Sequence, residues 1–253
     1  MTTTRLAIVT GGTRGIGLSI AKMLSFDHDV ALLYKSDHEN AKDALQSIEA
    51  SSKNKIRVYC CDVSSPQLFV DTYQTIIKDY DKTCAVLVTC AGASSPALVV
   101  LQPLEVYDYL MRVNYLGVVN CCKTVVHDMI KNRYGRIVNV TSISAGTNVQ
   151  GLSAYASTKV AVEKFSFILG GEVAKYGITV NTVRPGLVES KMTKEWLESF
   201  DKTSWTYKAI TQPSNQLIEA QSIANAVDFL VKSSQVNCTP ITVDGGNSVY
   251  TAI

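Results

Sequence analysis

The chain has 253 residues, 46% of them hydrophobic and 18% charged, with a formal net charge of +2. That length suffices to bury one large core, and the dispersed lysines form no basic run of the kind that marks a nucleic-acid partner. No apolar stretch approaches the ~20 residues of a membrane span, and MTTTRLAIVT enters a strand-like run at once, so no leader peptide is expected and the expected location is cytoplasmic.

The first elements form a recognisable unit. RLAIV, opening at Arg5, is a short apolar run suited to a buried strand. It leads through Thr10 into GGTRGIG (11–17) and then into LSIAKML, whose apolar spacing is helical, with the helix predicted over Ile16–Ser25. Strand, glycine-rich turn and helix in this order are the setting a nucleotide-binding fingerprint requires. Gly11 permits the sharp turn, Gly15 lets the backbone approach a pyrophosphate, and Gly17 allows close contact between helix and strand. The spacing is G-x-x-x-G-x-G rather than G-x-G-x-x-G. The helix N-terminus offers free N–H groups and partial positive charge to phosphates.

VALLY (30–34) is the second strand, ending at Tyr34 and followed by Lys35, Ser36 and Asp37. An acidic residue here suits the ribose hydroxyl of NAD, a basic one the 2′-phosphate of NADP. Lys35, with Arg14 in the glycine loop, predicts NADP(H); Asp37 is the contrary sign but lies further into the loop. A helix over Glu39–Ser51 leads to the strand IRVYC (56–60), after which Asp62 can cap or terminate the strand. A helix over Pro66–Asp79 and the strand CAVLVT (84–89) follow. The next helix, Pro103–Lys131, carries Asn114 in an apolar setting, where asparagine is disfavoured unless its side chain finds a partner, so a kink is expected there.

After the strand RIVNV (136–140) comes Ser142, and the helix Ala154–Lys175 carries Tyr155 and Lys159 four residues apart. That spacing stacks phenol and ammonium on one helical face. A cation beside a phenol favours the phenolate, and a phenol so tuned serves as general acid or base, while a serine hydroxyl can hold a carbonyl or alcohol oxygen. The strand ITVNTV (178–183) precedes an aperiodic stretch, about 189–212, with Trp196, Phe200, Trp205 and Tyr207 among polar residues. Such a segment is usually functional; it reads as a lid over a substrate, or as aromatics packed on the body. Glu219–Lys232 is the last long helix and PITV (240–243) the last strand. Alternation of strands and helices predicts an α/β fold with a parallel sheet in one domain.

No C-x-x-C pair occurs among the seven cysteines, and His28, His38 and His127 lack metal-ligand spacing, so reduced thiols and no metal are expected. Cys60, Cys84, Cys90 and Cys121 lie in apolar runs and are expected as small buried hydrophobes.

Taken together the chain resembles the short-chain dehydrogenase/reductase family over nearly its whole length. TGGTRGIG (10–17), Asp62-Val63, CAG (90–92), Asn114 in VNYLG, Ser142 in IVNVTS, Tyr155 with Lys159, RPG (184–186) and VDGG (243–246) match its motifs in order. The resemblance implies a single-domain, Rossmann-like, doubly wound parallel sheet of about seven strands with helices on both faces. It implies a catalytic tetrad of Asn114, Ser142, Tyr155 and Lys159. Tyr155 would give a proton to a carbonyl oxygen as hydride arrives from the nicotinamide, and Ser142 would hydrogen-bond that oxygen. Lys159 would bind the nicotinamide ribose, and Asn114 would anchor a water leading to Lys159. It implies cofactor contacts at Gly11, Thr13, Arg14, Gly15, Ile16, Gly17, Tyr34, Lys35, Ser36, Asp62, Val63, Cys90, Ala91, Gly92, Tyr155, Lys159, Pro185, Gly186, Val188 and Ser190.

Within that family the segment PSNQLIEAQSIANAVDFL (213–230) and RPGLVESKMT are most similar to β-ketoacyl-acyl-carrier-protein reductases. The implied activity is NADPH-dependent reduction of a 3-oxoacyl thioester. Secondary-alcohol or polyol oxidation by the same residues is the alternative, and a non-catalytic NADP(H) sensor a third. Arg133 matches a carrier-protein contact, whereas the second such position holds Tyr176 beside Lys175. A homotetramer through the two long helices flanking the fifth strand is also implied. Cys90 and Ser190 replace the family's usual asparagine and threonine, and Asn237-Cys238 its Thr-Gly pair.

Overall fold

Seven strands pair in parallel: β1 (Arg5–Thr10), β2 (His28–Tyr34), β3 (Ile56–Cys60), β4 (Cys84–Thr89), β5 (Gly135–Val140), β6 (Ile178–Pro185) and β7 (Pro240–Val243). Their order in the sheet of this computed structural model is β3-β2-β1-β4-β5-β6-β7. The structure describes residues 4–189 and 216–250. The chain winds outward from β1 to β3, then returns to place β4 on the other side of β1 (Thr10 pairing with Thr89). That reversal opens a crevice beyond the carboxyl ends of β1 and β4, where open α/β sheets bind their ligands.

The helices are α1 (Gly15–Leu24), α2 (His38–Glu49), α3 (Pro66–Tyr80), α4 (Leu104–Leu110), α5 (Gly117–Asn132), α6 (Ser153–Val173), α7 (Ala220–Lys232) and the short α8 (Asn247–Tyr250). They cover both faces because the strand period of two sends neighbouring side chains to opposite sides. Leu6 and Ile8 of β1 pack with Phe69 and Tyr73 of α3 and Val125 of α5. Ala7 and Val9 pack with Ile20 of α1, Ile48 of α2 and Val227 of α7. A strand buried on both faces must be apolar throughout, which is why RLAIV shows no alternation. β3 lies at the sheet edge and buries less of itself, so Cys60 is exposed rather than buried as expected. Cys84 and Cys121 are buried as expected, and Cys90 is partly exposed.

The helix anticipated over Pro103–Lys131 is broken as its asparagine suggested. Between α4 and α5 lies a π-turn, Met111–Leu116, in which the Gly117 N–H reaches back to the Arg112 carbonyl. Asn114 sits fully buried inside this widened turn. Short 3₁₀ turns at Val99–Leu101 and Ile143–Ala145 were not foreseen. Among the described residues no helix is long and apolar enough to cross a membrane, and no group of three or more metal-ligating side chains occurs.

Candidate active site

The glycine loop is shaped by what its residues lack. Gly11 has φ +63° and Gly15 φ +52°, the left-handed region where a side chain is strained. A Cβ at Gly11 would stand 3.0 Å from the Ala91 backbone, while at Gly15 it would meet only open space. At Gly17 a Cβ would lie 2.1 Å from the Gly11 carbonyl oxygen. The close approach at Gly17 is therefore between helix and loop, not helix and strand as the sequence suggested. Arg14 is the N-cap of α1 in an extended conformation and makes no side-chain cap. The first N–H groups of α1 thus have no intrahelical acceptor and point with the helix dipole at the open side of Gly15. Thr13 is buried beneath the loop and Ile16 lines the cleft. A bare, concave run of N–H groups fits the diphosphate of a dinucleotide.

At the end of β2, Tyr34 is hydrogen-bonded through its hydroxyl to His38 Nδ1 at 2.9 Å. Lys35 Nζ lies 2.8 Å from Asp62 Oδ2. The other Asp62 oxygen accepts from the Ser64 N–H at 3.0 Å and the Ser64 hydroxyl at 2.7 Å. Burial works to raise the Asp62 carboxyl, but the Lys35 ammonium and Ser64 outweigh it and hold the carboxyl below its ordinary range. Asp37 caps α2 by accepting from the Asn40 N–H at 3.1 Å. Its carboxyl is held low first by the Asn40 amide and further by the nearby charge of Arg14. Ser36 is exposed beside them. Val63 turns inward instead: it is buried, and a Cβ at Gly117 would stand 2.9 Å from its Cγ2.

The cleft proper has a volume of about 310 Å³, with Ser142, Tyr155 and Lys159 on its wall. Gly92, Cys90, Pro185, Gly186 and Val188 also line it. Lys159 is buried, donates from Nζ to the Val140 carbonyl at 3.1 Å, and holds its ammonium 5.6 Å from the Tyr155 ring centroid. Ser142, in extended backbone just past β5, accepts from the Ser144 N–H and donates to the Ser144 hydroxyl, both at 3.1 Å. A hydroxyl proton can rotate, so this local bond leaves Ser142 able to serve a substrate oxygen.

Asn114 does not reach Lys159 directly. Its side-chain oxygen accepts from the Ala93 N–H at 2.8 Å, and its amide donates to the Ala93 carbonyl at 2.9 Å and the Thr158 hydroxyl at 3.1 Å. Gly92 allows this closeness, since a Cβ there would be 3.3 Å from Asn114 Oδ1 and 3.7 Å from Lys159 Nζ. Val188 pairs with Ile218 in a parallel bridge at the far side of the cleft. Ser190 and the rest of the stretch read from the sequence as a lid, after Glu189, lie outside the described residues.

Several members of the site carried no label in the sequence reading. The Thr10 hydroxyl accepts from both the Cys90 and Ala91 N–H groups at 3.1 Å, tying the end of β1 to the turn after β4. Glu163, buried on α6, accepts from the Thr141 hydroxyl at 3.0 Å and from Arg184 Nε at 2.6 Å. A signal existed, because Tyr155, Lys159 and Glu163 recur every four residues on one helical stripe. Arg133 and Lys175 adjoin, the Arg133 guanidinium donating to the Lys175 carbonyl at 3.1 Å. They lie before the start of β5 and in the 3₁₀ turn Ala174–Tyr176 that follows α6, the sheet end opposite this chain's own cleft.

Comparison with known proteins agrees with this geometry. Residues 5–200 match the family model described as short chain dehydrogenase. The chain is 31% identical over 244 residues to a 3-oxoacyl-acyl-carrier-protein reductase of Chlamydia trachomatis, covering 96% of each chain. It is 32% identical to carbonyl reductase family member 4 of Xenopus tropicalis, covering 96% of this chain and 98% of the relative. Against the 3-oxoacyl-acyl-carrier-protein reductase of Escherichia coli the identity is 29%, with 97% of each covered.

Proposed function

This chain belongs to the short-chain dehydrogenase/reductase family, an oxidoreductase of CH–OH and C=O groups, and we propose that it reduces the ketone of a 3-oxoacyl thioester with NADPH. The observation that carries this reading is a buried lysine placed against Tyr155 in a cleft that also holds Ser142 and borders the glycine loop. A reduced nicotinamide dinucleotide supplies the hydride when bound. The glycine loop and the N-terminus of α1 hold its diphosphate, and Lys159 holds its ribose hydroxyls. Ser142 donates a hydrogen bond to the substrate ketone oxygen and orients it. Tyr155 gives its phenolic proton to the same oxygen as negative charge develops there. Donors already in place in a partly dry cleft stabilise that charge without reorganisation.

Preference for the 2′-phosphorylated dinucleotide follows from which charges are engaged. Asp37 is occupied as a helix cap, whereas Arg14 is exposed and Lys35, though paired with Asp62, keeps 58% of its side chain open to a phosphate. A 3-oxoacyl thioester is favoured over a polyol because the relatives include reductases of that substrate. If an acidic carrier protein delivers it, Arg133 and Lys175 do not flank the cleft of their own chain. The proposed assembly is a homotetramer through the two long helices flanking β5, where Leu116 at the end of the π-turn and Val160 and Ile168 on α6 are exposed.

The deciding experiment follows NADPH consumption with acetoacetyl-CoA. Tyr155→Phe keeps the ring beside Lys159 and removes the proton, so kcat is expected to fall at least ~100-fold. Undiminished turnover by the variant, or none by the wild type across a panel of ketoesters and thioesters, would sink the reading.

A further inference from the structure

Glu163 stands one helical turn beyond Lys159 on α6, a spacing at which a lysine and a glutamate are close enough to pair. Both are buried, at 6% exposure each. Yet among the described residues no ion pair joins them. Lys159 Nζ turns to the neutral Val140 carbonyl at 3.1 Å, and Glu163 is gripped through both oxygens by Arg184. Arg184 is the residue before Pro185 and Gly186, which line the cleft. Its planar fork matches a carboxylate in a way a lysine cannot. The guanidinium also stands against the turn after Ser142, since a Cβ at Gly146 would be 3.4 Å from Arg184 Nη1.

In a partly dry site, attraction between opposite charges outweighs a hydrogen bond to a neutral carbonyl. A Glu163 carboxylate without its guanidinium would therefore draw the Lys159 ammonium off Val140 and away from the Tyr155 ring. We infer that Arg184 is a positioning residue: by holding Glu163, it keeps the Lys159 ammonium directed at Val140 and Tyr155. Glu163 in turn anchors Thr141, the residue before Ser142. Lys159 grips Val140 and Glu163 grips Thr141, so the last two residues before Ser142 are tied to α6 by successive rungs. The Arg184 fork adds the end of β6 to the same knot.

The inference rests on the reductase reading of the cleft, and its test separates the two. In Arg184→Gln the carboxylate is freed; in Glu163→Gln/Arg184→Gln neither charge remains, and Gln can still accept from Thr141. With acetoacetyl-CoA and NADPH, Arg184→Gln is expected to lower kcat about 30-fold. Its affinity for NADPH, read by fluorescence titration, is expected to fall about tenfold or less, because Lys159 leaves the ribose while the glycine loop still holds the diphosphate. The double variant is expected to regain at least about fivefold in kcat over Arg184→Gln. A purely structural role predicts the opposite, since removing a second buried partner adds no support. A double variant no more active than Arg184→Gln, or an Arg184→Gln enzyme with wild-type kcat, overturns the inference. A crystal structure of cofactor-free Arg184→Gln reads the same point without turnover. Lys159 Nζ on the Glu163 carboxylate supports it, and Lys159 still on Val140 overturns it. If Arg184→Gln does not fold, Arg184→Lys keeps the charge but loses the fork. It is then expected to lower kcat about fivefold, and an unchanged kcat there refutes the inference.

Discussion

Replacing Lys35 by alanine tests the proposed cofactor preference most directly, because the structure shows what the lysine gives up and charge arithmetic bounds what it would gain. Its ammonium lies 2.8 Å from Asp62, and its side chain is 58% exposed. A unit charge pair at 4 Å contributes about 1 kcal/mol in water and about 4 at the effective dielectric of a protein surface. Exposure puts Lys35 toward the lower figure. A phosphate with nearly two charges raises it to about 2 kcal/mol. Against that stands loss of the Asp62 pair, about 0.2–1 kcal/mol for an exposed bridge. The net, about 1–2 kcal/mol, corresponds to a roughly 5–30-fold weaker NADPH complex in Lys35→Ala. NADH has no phosphate in that place, so its affinity is expected to stay within about threefold. Lys35→Asp should reverse the preference further, because a second carboxylate then faces the phosphate beside Asp62. Isothermal titration with both dinucleotides at two salt concentrations checks this, and the NADPH difference should shrink at the higher one. Equal, unchanged affinities for NADPH and NADH in Lys35→Ala would refute the reasoning and leave Lys35 a surface charge.

Cys238 adopts φ +54° and lays its Sγ against α6, so that a Cβ at Gly170 would stand 2.7 Å from that sulfur. Gly170→Ala is expected to lose about 1–3 kcal/mol by overpacking, part of it restored by Cys238→Gly, in urea unfolding; equal stability of single and double variants would contradict this. Burial pushes the Cys122 thiol up to about 12 from an ordinary 9.0, and raises Cys84 as well. The unfolded chain then loses these protons first, so it binds fewer than the native state, and stability should fall as pH rises through about 9 toward 12. Melting temperatures from pH 8 to 10.5 read this, with Cys122→Ala flattening the slope, and thiol labelling at pH 8 should reach exposed Cys60 before any buried cysteine. On α6, Val160→Glu with Ile168→Glu should reduce a tetramer to smaller species by light scattering, since both side chains face outward; an unchanged mass would place the contact elsewhere.

Much of this was legible because local chemistry and global fold agree. Runs such as RLAIV and CAVLVT are strands under any reading, and their neighbours Gly11 and Gly92 punctuate them where the chain must turn or approach closely. Asn114 declared itself by being polar in an apolar helix, and the π-turn follows from it. What stayed hidden depends on partners distant in sequence. Nothing near Glu163 announces that Arg184 will meet it, and nothing near Thr10 announces the Cys90 and Ala91 amides. Cys60 misled for the converse reason: an apolar run says strand, but only the sheet order says that the strand is an edge.

The hidden contacts share one property: they join the glycine loop to Lys159. The segment 90–93 is held at one end by Thr10 and packed against Gly11 of the glycine loop. At its other end Ala93 is clasped on both backbone polar groups by Asn114. Asn114 in turn bonds Thr158, the residue before Lys159. A movement of the glycine loop is thus transmitted to Lys159 through bonds to buried groups, each costly to leave unmade. On the opposite flank Glu163 and Arg184 tie Lys159's helix to the ends of β5 and β6. Two independent braces therefore converge on one ammonium. Such bracing matters for a lysine proposed to serve both a ribose and a phenol, because displacement of either partner by about an ångström is enough to lose orders of magnitude in rate.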